Sequence, residues 1–202
     1  MATIPSQYKA KIIELYNLGH CMKQISEELG YSLNAVYYFM RKHNIARRDL
    51  VTSAKFRFDR KPLSYNVPTE LSPEQERLKL LGITLYWAEG YKTEKSSGID
   101  FANSDAAMQA LFLRFLREVC QIDETRITVL LYSHNLKNVP AQIRYWSRQL
   151  NVPQENFSKP YIAKSVSGLE KKSKMPYGLV HLRYADKKLL WQILDWIEEL
   201  KQ

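Results

Sequence analysis

Glu89 closes a run of mostly apolar residues, Leu80-Leu-Gly-Ile-Thr-Leu-Tyr-Trp-Ala88, and Gly90 follows it. If this run is a helix, the carboxylate adds to the negative partial charge already at the helix C-terminus, so it calls for a cation. A nearby Lys or Arg supplies one, or a metal ion does. A second set is Asn34, Tyr38, Arg41 and Lys42. On a helix, the spacing i, i+4, i+7, i+8 puts all four on one face. Asn makes bidentate bonds to adenine and Arg to guanine in the major groove, so this face suits the reading of duplex DNA. The third set is basic: Arg47, Arg48, Lys55, Arg57, Arg60 and Lys61. These residues suit phosphate or minor-groove contact by an arm, or else form a solvated charged linker. Thiol and zinc chemistry are not indicated. Cys21 and Cys120 form no CxxC pair, and the four histidines, His20, His43, His134 and His181, are scattered.

The 202-residue chain carries 30 Lys+Arg against 21 Asp+Glu, a formal net charge of +9. That excess favours a polyanionic partner, nucleic acid before an anionic membrane surface. It is unevenly placed. Residues 1–66 hold eleven bases and five acids, and 41–61 alone hold eight and two, which is the whole +6 of that segment. At 45% hydrophobic residues the chain is able to build a core, which excludes a wholly disordered protein. No run reaches the ~18 apolar residues of a spanning helix. The start lacks a basic region followed by an apolar one, so no signal peptide is expected. A reduced, cytoplasmic and nucleoid-associated protein without structural zinc is the expectation.

Three short helices are expected to position the first set. Tyr8–Leu18 buries Ile12, Leu15 and Tyr16. Met22–Leu29 presents Met22, Ile25 and Leu29 at i, i+3, i+7. Gly30 supplies a positive-φ turn, and Ser32 caps a third helix, Leu33 to His43, with Val36, Phe39 and Met40 inward. Gln24-Ile-Ser-Glu-Glu-Leu-Gly-Tyr-Ser, followed by Val36-Tyr-Tyr-Phe-Met-Arg-Lys-His-Asn-Ile, resembles the helix-turn-helix of resolvases and many bacterial regulators over about 7–48. The resemblance implies that Leu33–Lys42 enters a major groove. A bundle used for dimerisation is the alternative. Two prolines in Lys61-Pro-Leu-Ser-Tyr-Asn-Val-Pro-Thr suggest an extended linker. The expected division is a DNA-binding domain at 1–50, a basic and proline-containing linker at 51–71, and a second domain at 72–202.

Ser72-Pro-Glu-Gln is a helix start, with N-cap Ser, Pro at the first position and acids in the first turn. The helix is expected to run to about Ala88. Its second half is apolar almost all round, so burial on most sides is expected. Strands are expected at 99–103, 126–132 and 177–184, with another at 161–166. Helices are expected at 106–119, 139–150 and 187–200, and a basic loop at 167–176. This order, with Gly82-Ile-Thr-Leu-Tyr-Trp-Ala-Glu-Gly90, resembles the LAGLIDADG homing-endonuclease family over about 74–200. The fold class is therefore α+β: a three-helix helix-turn-helix domain, then an αββαββα domain with an insertion at about 135–175.

The resemblance implies a homodimer, because the chain holds one motif. Thr84 and Ala88 are its small residues at the helix crossing, where the family prefers Gly and Ala. Glu89 takes the place of the usual Asp. In the family's mechanism, Glu89 from each subunit holds Mg²⁺ at a scissile phosphate, and Asn103 falls near a water-ordering position. Two main readings follow. The first is a sequence-specific, double-stranded DNA-binding regulator that uses a helix-turn-helix and a β-saddle and needs no cofactor. The second is a Mg²⁺-dependent DNA endonuclease. Regulators that pair a helix-turn-helix with a cleavage-dead copy of this domain favour the first. The 13 tyrosines leave an RNA-stacking or protein-interaction module as a third reading.

Overall fold

A computed structural model describes residues 3–93, 95–133, 138–163 and 175–202. The chain divides into two units, Met1–Pro62 and Leu63–Gln202. The first holds α1 (Lys9–Asn17), α2 (Met22–Leu29), α3 (Leu33–Lys42) and α4 (Leu50–Arg60). Ile4, Ile12, Leu15, Tyr16, Ile25, Val36, Phe39 and Met40 form its core, so the periodic apolar residues of α1 to α3 meet as the pattern requires. Gly30 ends α2 at φ 72°, a conformation that a side chain at this turn would strain. Ser32 Oγ accepts from the Ala35 backbone N–H at 3.2 Å and starts α3.

Within 51–71, expected as a basic and proline-containing linker, the first ten residues are helical and belong to α4. Asp49 caps α4 by accepting from the Thr52 N–H at 2.8 Å and the Thr52 hydroxyl at 2.6 Å. The stretch after Pro62 belongs to the second unit: the Asn66 N–H donates to the Cys120 carbonyl, and the Asp123 N–H to that of Ser64.

The second unit contains α5 (Pro73–Glu89), β1 (Ile99–Asn103), α6 (Ala106–Glu118), β2 (Ile127–Ser133), α7 (Val139–Leu150), β3 (Tyr161–Ile162), β4 (Leu179–Tyr184) and α8 (Lys187–Glu199). It is a mixed α+β arrangement whose sheet runs β1-β4-β2-β3. β4 pairs antiparallel with β1 and β2, and β3 lies parallel to β2. The stretch from Tyr91 pairs with β1 through a single bridge, Gly90 to Phe101, so two full strands do not precede α6. The loop expected at 167–176 and the end of the strand expected at 161–166 fall mainly outside the described residues. Ile99, Phe101, Ile127, Val129, Leu131, Val180, Leu182 and Tyr184 form one sheet face and join the core with α5, α6 and α8.

Ser72 and Gln75 form the capping box of α5, and Pro73 opens it. Among the described residues, one side of α5 is buried: Leu78, Gly82, Ile83 and Tyr86. Gly82 allows the closest approach, since a Cβ there would lie 2.1 Å from the Phe115 side chain on α6.

Asp186 ties the second unit together. It accepts from the N–H groups of Lys188 (2.8 Å) and Leu189 (3.2 Å) at the start of α8. It also accepts from Ser64 Oγ at 2.6 Å and from Arg126 at 3.4 Å. Burial opposes its charge, but the Ser64 hydrogen bond, the two backbone donors and Arg126 outweigh burial and hold the carboxyl below its ordinary 3.8. A depressed folded-state pKa gives stability that is present above about pH 4 and lost as pH falls through the folded value. Asp186→Ala is expected to cost about 1 kcal/mol for the cap. It should cost about 1–3 kcal/mol more for the donors left unpaired. Thermal denaturation checks this: the gap between variant and wild type should be wide at pH 7 and should narrow as pH falls through the folded-state value, below 3.8.

Candidate functional site

Asn34, Tyr38, Arg41 and Lys42 lie together on the exposed side of α3, and Val36, Phe39 and Met40 anchor its other side. Tyr38 is 58% exposed although large and aromatic. Next to this face, the Arg47 guanidinium lies 5.7 Å from the centre of the Tyr37 ring, a cation–π contact that brings Arg47 to the side of Arg41. Arg48 does not join them. Its guanidinium sits 4.0 Å from the Tyr16 ring centre and 4.7 Å from that of Phe56. It also donates to the His20 carbonyl, and its backbone N–H donates to the Tyr16 hydroxyl at 2.8 Å. Arg48 is fixed by packing and only partly exposed, unlike the basic residues that follow it. Lys55, Arg57, Arg60 and Lys61 are exposed and ride on or just past α4, so their charges are held on a helix and not on a loose arm.

In the second unit, Thr84, Ala88 and Glu89 are exposed at the outer side of α5. Leu80, Leu81 and Trp87 beside them are 40–51% exposed. Among the described residues the sheet and helices cover one face of α5 and leave an apolar one open, so the expected burial on most sides would need a further surface. Glu89 makes no hydrogen bond or ion pair among the described residues. The cation at this helix end is Lys92, whose Nζ donates to the carbonyls of Trp87 (2.8 Å) and Gly90 (2.9 Å) and so answers the helix dipole rather than the carboxylate. Asn103 is committed locally. Its Oδ1 accepts from the Asp105 N–H at 2.8 Å, which shapes the turn into α6. Among the described residues no three His, Cys, Asp or Glu side chains gather to hold a metal.

The second sheet face carries residues that were not singled out from sequence. Asp100 of β1 pairs across to β4, where His181 Nδ1 lies 2.7 Å from Oδ1 and Arg183 Nε donates to Oδ2 at 2.8 Å. A carboxylate only accepts, so the His181 Nδ1 carries the hydrogen in this contact. Burial opposes the Asp100 charge, but His181 and Arg183 hold its carboxyl below the ordinary range. Tyr132 stacks 4.8 Å from the His181 ring and 4.7 Å from Tyr161. The result is a row of aromatic rings beside a cation on the sheet.

No protein-family model matches the chain, and no curated protein or solved structure matches it. Among the described residues no helix is long and apolar enough to cross a membrane.

Proposed function

We propose that the protein is a sequence-specific binder of double-stranded DNA, of regulatory type, that acts as a homodimer. The observation that carries this reading is the α3 surface. A short helix, anchored on one side and cleanly capped, presents Asn34, Tyr38 and Arg41 outward with Lys42 and Arg47 at its margin. In this reading α2 and α3 act as a helix-turn-helix, with α3 in the major groove. The open apolar side of α5 meets its two-fold mate through Thr84 and Ala88, as in LAGLIDADG-type dimers. The sheet face with Arg183 and Tyr132 then forms a saddle against DNA, and the buried His181 holds Asp100 beneath it.

If Arg41 reads a base and Arg48 packs inward, six bases remain for phosphates: Lys42, Arg47, Lys55, Arg57, Arg60 and Lys61. The slope of log K against log salt should then be about −5. Fluorescence anisotropy of a labelled duplex across salt concentrations measures it. Affinity that stays constant from low to moderate salt would remove the whole basic surface from the reading.

The endonuclease reading keeps one supporting observation, the exposed Glu89 with no ion-pair partner among the described residues. It expects nicking of supercoiled DNA in Mg²⁺ by wild type and none by Glu89→Gln. Intact DNA with both proteins leaves the binder alone.

A further inference from the structure

We infer that a cleft between the start of α2 and the side of α4 is a built seat for the phosphodiester backbone of duplex DNA, with α4 as its second jaw. The inference rests on the DNA-binding reading above and assigns α4 a place in it. The cleft has a volume of about 690 Å³, and five bases, Lys23, Arg48, Arg57, Arg60 and Lys61, line it against one acid, Glu27.

Three features make it a site and not a chance concavity. First, Ser53, Arg57 and Arg60 stand at i, i+4 and i+7, so one face of α4 points its cations into the cleft. Arg57 and Arg60 have no ion-pair partner among the described residues, and Lys23 meets Glu27 only at 3.9 Å. Like charges that converge on one cleft repel until an anion enters, and a cleft lined by one sign of charge raises the local concentration of counter-ions. Second, the jaw is seated. α4 buries no residue fully, yet Phe56 packs so tightly on the backbone of Gly19 that a Cβ there would lie 2.4 Å from its ring. Third, the back wall is a fixed cation. Arg48 is sandwiched between Tyr16 and Phe56, and its Nε and Nη1 are buried with no hydrogen-bond partner. The start of α2, with its positive helix end, completes the wall.

The size and place of the cleft favour a chain of phosphates over one small anion. It is far larger than a single phosphate group. α2 also leads directly into α3, and in a helix-turn-helix the helix before the recognition helix crosses the backbone.

The test uses the full-length protein and a labelled duplex at several salt concentrations. Arg57→Gln/Arg60→Gln should make the salt slope shallower by about 2, at about 0.9 per phosphate. Phe56→Ala keeps every charge but loosens both the jaw and the stack that fixes Arg48, so it should also weaken binding and flatten the slope. Ser53→Glu places an acid in the cleft without touching Phe56 and should weaken binding at least about tenfold. If Phe56→Ala is folded by circular dichroism and binds with wild-type affinity and slope, the charges work as a loose arm and the cleft is wrong. Wild-type binding by Ser53→Glu has the same meaning. Inorganic pyrophosphate provides the last arm: if it protects the wild type from thermal unfolding but does not displace duplex, the cleft serves a free anion and the backbone assignment falls. Arg41→Ala, run in parallel, separates the two levels. Its loss of binding beside unaffected cleft variants overturns the cleft alone, and absence of duplex binding by the wild type overturns the DNA reading itself.

Discussion

Ala88→Arg is expected to leave a folded monomer that binds DNA at least a hundredfold more weakly than the wild type. The residue lies on the exposed side of α5, one turn after Thr84 and beside the half-exposed Leu80, Leu81 and Trp87. α5 already spends its inner side on the core through Leu78, Gly82, Ile83 and Tyr86, so the outer apolar side has no cover from the described parts of its own chain. Two-fold packing of such a helix on itself repeats each contact, so one substitution enters the interface twice. An unpaired buried charge costs about 3–5 kcal/mol when its partner is missing. Two of them exceed what a modest dimer interface provides. Loss of bivalency then removes about 10²–10⁴ of apparent affinity without touching a DNA contact. Sedimentation velocity gives the oligomeric state and anisotropy the affinity. Because Ala88 is exposed in the single chain, the variant monomer should stay folded, with a melting temperature lower than that of the wild type only by the lost association. A wild-type protein that is monomeric at tens of micromolar contradicts the dimer and removes any metal site shared by two Glu89 carboxylates.

Arg41→Ala and Asn34→Ala are expected to cost about 1–3 kcal/mol each on the preferred site and far less on random duplex. Each should relax preference at its own base position. Their side chains lie on the anchored helix α3, held from behind by Val36, Phe39 and Met40, so neither substitution disturbs packing. Lys42→Ala serves as the contrast. A phosphate contact weakens all sequences alike and reduces the salt slope by about 1. Competition titrations with matched and mismatched duplexes separate the two behaviours. Equal losses on specific and random DNA would take Arg41 out of the reading set.

Much of this was legible in the sequence, for a physical reason. The buried residues of α1 to α3 repeat at helical spacing, and Ser32, Ser72 and Pro73 are local signals that need no tertiary partner. The strands β1, β2 and β4 alternate along their own length. What escaped depends on contacts between distant residues. α4 was hidden because its eleven residues bury nothing and its charges read as a linker, although Asp49 and Thr52 formed a usable cap signal. Arg48 looked like its basic neighbours, and only the approach of Tyr16 and Phe56 turns it inward. Asp100 meets His181 and Arg183 across a strand register that pairs residues some eighty positions apart, which no local pattern encodes. The need of α5 for a second cover was legible too: apolar residues all round a helix state that both sides need burial, and the described parts of the chain bury one of them.

Sequence specificity for duplex DNA is the central claim, and selection from a random duplex library by the full-length protein at physiological salt tests it most directly. The account predicts enrichment of a two-fold symmetric site, with half-sites read by two copies of α3. The selected duplex should bind about 10³-fold or more tightly than scrambled DNA of the same length. A library that returns no enriched sequence, or a selected duplex that binds no better than a scrambled one, contradicts it.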